Sequence, residues 1–115
     1  MNVTLYYVNM TVRYGGGVIM NKLHNESIDR LFEAILTLKN IDECYAFFED
    51  ACTIKEIMDI SQRFEVAALL REGKNYLDIN KITGASTTTI SRVNKCLSYG
   101  KDGYNLVFDR MEKKE

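Results

Sequence analysis

Tyr76-Leu-Asp-Ile-Asn-Lys-Ile-Thr-Gly-Ala-Ser-Thr-Thr-Thr-Ile-Ser-Arg-Val-Asn-Lys95 decides the fold. It reads as two short helices pivoting on Gly84, a residue whose missing Cβ lets it take positive φ at little steric cost. Leu77, Ile79 and Ile82 of the first helix are expected to face Ile90 and Val93 of the second. Ser86 offers a capping hydroxyl. Beyond it come Thr87-Thr88-Thr89, then Ser91 and Arg92 one turn on. The pattern predicts a helix-turn-helix whose second helix, residues 86–98, enters a DNA major groove by its N-terminal end. One position departs from it. Four residues before the turn glycine, where the helices cross, a small residue is usual; here it is Asn80, which needs a hydrogen-bond partner across the turn or splayed helices.

Charge supports the same stretch. The 115-residue chain carries a net charge of −1, whereas nucleic-acid binders are usually basic. The charge is unevenly spread. Residues 21–65 hold five Lys or Arg against ten Asp or Glu. Residues 71–101 hold six (Arg71, Lys74, Lys81, Arg92, Lys95, Lys101) against two (Glu72, Asp78), so positive charge gathers where phosphates would lie.

Working outward, the periodicity is helical from Asn25 onward. Ile28, Leu31, Phe32, Ile35, Leu36 and Leu38 mark one apolar face. Asn40-x-x-Glu43 and Thr53-x-x-Glu56 are capping boxes opening two further helices, and Gly73 closes the second of these. A last helix is expected over roughly 103–113. The class is therefore all-α, about six helices around a central helix-turn-helix. Phe47, Phe48, Phe108 and the 28–38 face exceed what one small chain needs for its core, which points to a homodimer.

Residues 1–19 differ from the rest: Tyr- and Val-rich, uncharged except for Arg13, and followed by Met20 after Gly15-Gly16-Gly17 and two apolar residues. They read as a leader or non-native start before a domain at 20–115, with a strand over Thr4–Val12 as the other reading. There is no basic secretory leader and no apolar stretch long enough to span a membrane. Three cysteines, Cys44, Cys52 and Cys96, fit no metal spacing and read as reduced thiols of a cytoplasmic protein. His24 is the sole histidine, and no nucleophile, carboxylate pair or phosphate loop stands out, so neither enzyme, cofactor nor metal is expected.

Two functions compete. In the first, a homodimer binds double-stranded DNA as a transcriptional regulator. Ser86, Thr87, Thr88 and Ser91 approach base edges or phosphates, while Lys81, Arg92, Lys95 and Lys101 neutralise phosphates. In the second, the scaffold is a protein-interaction module without DNA binding, docking through Asp42, Glu43, Glu49, Asp50 and Asp59.

Thr53-Ile-Lys-Glu-Ile, Ser61-Gln-Arg-Phe-Glu-Val-Ala, Leu69-Leu-Arg-Glu-Gly-Lys, Ile82-Thr-Gly-Ala-Ser-Thr, Thr89-Ile-Ser-Arg-Val-Asn and Leu97-Ser-Tyr-Gly together resemble the trp-repressor-like proteins, and more narrowly their YerC/YecD-type subgroup. The resemblance covers about residues 20–112. It implies an intertwined, all-helical homodimer and a DNA-binding regulator. It also implies a candidate effector pocket at Arg63, Arg92, Val93 and Cys96, since the two arginines match the pair that sandwiches tryptophan in the repressor. Val93 stands where the repressor has a glycine that leaves room for indole, and Cys96 where it has a serine that helps hold the ligand's amino group. Tryptophan is therefore not expected as the effector; another small molecule remains open.

Overall fold

Asn25 opens the first helix by accepting the Ile28 N–H on its side-chain oxygen (2.9 Å). In a computed structural model, which describes residues 23–113, six helices follow one another. They are α1 (Glu26–Ile35), α2 (Ile41–Ala51), α3 (Ile54–Arg71), α4 (Tyr76–Thr83), α5 (Thr87–Tyr99) and α6 (Gly103–Lys113). No strand occurs among the described residues, so the all-α expectation holds. The proposed leader at 1–19, and the strand suggested within it, lie outside the described residues. The chain divides into two compact units, one through Phe47 and one from Phe48 onward, with α2 crossing the division.

In the first unit α1 stops earlier than its periodicity suggests. Leu36 N still donates to Phe32 O, but Thr37 N turns to Ala34 O and Leu38 N to Ile35 O, bonds one residue shorter. The Thr37 hydroxyl also donates to Ala34 O (2.6 Å), so the last turn tightens and Leu38 drops out of the helix. At α2 the Asn40 side chain accepts the Glu43 N–H (2.9 Å). Glu43 reaches back to the Lys39 N–H instead of that of Asn40, so the expected box is offset by one residue.

In the second unit Thr53 and Glu56 form a full reciprocal box at the start of α3. The Thr53 backbone N–H, and then its hydroxyl, hold the Glu56 carboxyl below its ordinary 4.5. At the other end Gly73 N donates to Leu70 O and Lys74 N to Leu69 O, a Schellman closure that needs the positive φ of Gly73 (+88°).

Val66, Ala67, Ile79, Ala85, Ile90, Val93 and Phe108 form the core of this unit, with α4, α5 and α6 packed on α3. A fully buried Ile or Val contributes about 1.5–3 kcal/mol relative to exposure, so this cluster dominates the unit's stability. Ile79, Ile90 and Val93 meet there as expected. Leu77 and Ile82 do not: they are 64% and 63% exposed. Residues 77 and 79 point about 200° apart on a helix, so one face of α4 cannot bury both. Phe108 is likewise no surplus residue. It is buried, its ring 4.9 Å from Phe64 and stacked on Tyr104.

Candidate nucleic-acid interface

The elbow between α4 and α5 is built from local bonds. Gly84 takes φ +74° and returns its N–H to Asn80 O (2.8 Å). The Asn80 side chain donates to Ala85 O (2.8 Å), which supplies the partner its sequence position demands. Thr83 Oγ1 donates to Ile79 O and accepts the Ala85 N–H. Ser86 Oγ then accepts the Thr89 N–H (3.1 Å) and donates to the Thr89 hydroxyl, so α5 starts with a satisfied cap. Ser86 is thereby engaged in the helix itself. At the far end Gly100 returns its N–H to Cys96 O, and a Cβ there would overlap that carbonyl.

Helical periodicity sorts the rest of α5. Ile90 and Val93 are buried with Leu97 half-buried beside them, and Thr88, Ser91, Arg92, Lys95 and Tyr99 fall on the opposite, exposed side. Thr87 is exposed at the first turn. Lys81 is exposed in the last turn of α4 and Lys101 in the connection to α6. Lys81, Arg92, Lys95 and Lys101 form no ion pair among the described residues.

Arg71 leaves that group of cations. It pairs with Asp109 (2.6 Å) and Glu112 (3.4 Å), donates to Asn105, and lies over the Phe108 ring at 5.5 Å. The bond to Asp109 chiefly raises its pKa. The positive charge of residues 71–101 is therefore smaller than their composition indicates.

Arg63 and Arg92 meet in one cleft of about 250 Å³ between α3 and α5, lined also by Lys55, Asp59, Gln62 and Thr89. Asp59 pairs with Lys55 (2.8 Å), not with Arg63. Val93 is one residue from Arg92 but about 100° around the helix, and it lies in the core. Cys96 lines a second cleft of about 270 Å³ with Arg92, Lys95, Tyr99 and Gly100. The four residues of the candidate effector pocket are thus divided among two clefts and the core. Lys55 and Gln62 are absent from the sequence-derived site, and Asp59 enters it only as part of the acidic docking face, although their 4- and 3-residue spacing marks a polar stripe on α3; Thr89 is read only as part of a first turn.

With this geometry, the comparison with known proteins is decisive for family. Residues 26–112 match the family model described as Trp repressor protein. The chain belongs to the Trp repressor family. Within that family it is 52% identical over 96 residues to the uncharacterized protein YerC of Bacillus subtilis (strain 168), covering 84% of this chain and 92% of YerC. It is similar to the crystal structure of a TrpR-like protein from Eubacterium eligens, with TM-score 0.78 and 60% identity, over 81% of this chain and 96% of that one. A crystal structure from Staphylococcus aureus is similar with TM-score 0.77 and 48% identity, over 82% and 96%. Trp repressor relatives are regulators, not enzymes. No helix among the described residues is long and apolar enough to cross a membrane.

Proposed function

We propose that this chain is a sequence-specific DNA-binding regulator of transcription, acting in the cytoplasm as a homodimer with α5 as its reading helix. The observation that carries this is the exposed face of α5, where Thr88, Ser91, Arg92 and Lys95 stand opposite the buried Ile90 and Val93. Hydroxyls and a threonine methyl suit base edges, and the cations suit phosphates. Thr87 adds a hydroxyl at the helix start, Ser86 fixes that start, and Lys81 and Lys101 extend the phosphate contacts on either side.

Support for the homodimer comes from apolar side chains left exposed in the single chain: Leu31 and Phe32 on α1, Leu36 at its C-cap, Ile41 on α2, Ile54 and Met58 on α3. A second copy covering them sets two α5 helices on one DNA face, about 34 Å apart. Selection of bound duplexes from a random pool tests both parts. A two-fold-symmetric consensus is expected, and recovery of no preferred sequence rejects the reading. Arg92→Ala is expected to weaken binding to all sequences and to flatten the salt dependence by about one unit.

The interaction-module reading has less to stand on. Of its five acidic residues, Glu43 is engaged in a helix cap and Asp59 in an ion pair. An effector, if bound between Arg63 and Arg92, meets polar and charged walls. That lining suits a charged ligand better than indole, and calorimetry with tryptophan is expected to show no micromolar binding.

A further inference from the structure

Carbonyls in the last turn of a helix have no partner within it. At the end of α4, Thr83 O finds one across 21 positions: Gln62 Nε2, from the middle of α3, donates to it at 3.1 Å. Among the described residues this is the one side-chain hydrogen bond joining α3 to the helix-turn-helix. The bonds of Asn80 and Thr83 are local to the elbow; they stiffen it but do not orient it against α3. The rest of the α3 contact is apolar, through Val66 and Ala67 with Ile79, Ile90 and Val93. Apolar burial is non-directional, whereas a hydrogen bond weakens steeply as it leaves its line. Core packing brings α3 and the elbow together, and the Gln62 bond adds a directional restraint on the angle between them.

We propose that Gln62 is a positioning residue for DNA reading, setting through Thr83 the angle at which α3 presents α5; this rests on the function proposed above. Base-edge contacts demand placement within about half an ångström, while attraction to phosphates depends mainly on charge. Loss of the Gln62 bond thus degrades discrimination between sequences more than affinity for DNA in general.

The test uses the full chain with two variants, Gln62→Ala and Gln62→Glu, and two duplexes, one selected from a random pool and one of scrambled sequence. The readout is the ratio of the two affinities at one salt concentration. Gln62→Ala is expected to lower that ratio roughly three- to tenfold. Gln62→Glu keeps the side chain's size but offers only acceptors to a carbonyl oxygen, so it is expected to lower the ratio at least as far. Its added negative charge acts on both duplexes and cancels in the ratio. A side chain that merely fills space predicts wild-type discrimination for Gln62→Glu, and that result overturns the proposal.

A second measurement needs no DNA. Exchange of the hydrogen-bonded Gly84 and Ala85 amides is expected to quicken roughly three- to tenfold in both variants, with Val66 and Ala67 unchanged. Unchanged exchange at the elbow overturns the tether itself. Faster exchange in a chain whose wild type binds no duplex overturns DNA reading instead, and the positioning role with it.

Discussion

From Phe48 onward, Val66, Ala67, Ile79, Ala85, Ile90, Val93 and Phe108 bury their side chains within a single chain, whereas α1, with apolar residues at the same three-and-four spacing, buries none. Phe32 on α1 and Leu36 at its C-cap are 53% and 83% exposed, while Ile79 and Ile90 are fully covered. Equal periodicity thus has two outcomes. It shows that a helix has an apolar face, not whether the covering surface lies in the same chain. In the second unit α3 supplies that surface for α4, α5 and α6. For α1 the proposed cover is a second copy.

The contrast is broken most strongly in the core. Ile90→Ala is expected to cost about 2–5 kcal/mol in chemical unfolding, because the fully buried site leaves a cavity. A loss below about 1 kcal/mol would place Ile90 with the α1 residues, outside a packed core. On the other side of the contrast, Phe32→Asp is expected to raise the dimer dissociation constant about a hundredfold in sedimentation, a charge being left in an apolar interface. An unchanged constant would leave the α1 face without its proposed cover. Gly84→Ala separates backbone strain from crowding, since nothing lies within 4 Å of the added Cβ while φ is +74°. The expected cost is about 1–2 kcal/mol in thermal unfolding, from the left-handed conformation alone.

The smallest effect concerns acid. Glu56 has a lowered pKa in the folded chain, so its contribution is present above the ordinary carboxylate value of 4.5 and is lost as pH falls below it. Glu56→Gln is expected to narrow its stability difference from wild type as the pH of the unfolding titration falls below 4.5. A difference constant with pH would remove the carboxylate's charge from the cap.

What the sequence disclosed depended on range. Thr53 with Glu56, Ser86 with Thr89, and the turns at Gly73 and Gly84 act over three or four residues, and their signals stand in the sequence as the structure uses them. Other errors were also local but arose from competition. The Thr37 hydroxyl takes Ala34 O and shortens α1, and Leu77 points about 200° around α4 from the buried Ile79. The site was less legible. The fold brings Arg63 and Arg92 together, and no spacing rule ties residue 63 to 92. The same holds for Gln62 with Thr83, a pair written nowhere in the local pattern. Composition misled in one place, counting Arg71 as a cation open to phosphate when four side chains of α6 engage it.

That engagement has a consequence for the order in which the chain is made. Arg71 emerges from synthesis 34 to 41 residues ahead of Asn105, Asp109 and Glu112. A chain made only as far as Tyr99 would still hold Val66, Ala67, Ile79, Ala85, Ile90 and Val93. It would lack the ring that meets Phe64 and the carboxylates that pair with Arg71. A chain cut short before Phe108 would therefore keep the residues that bond within its elbow while exposing one more arginine.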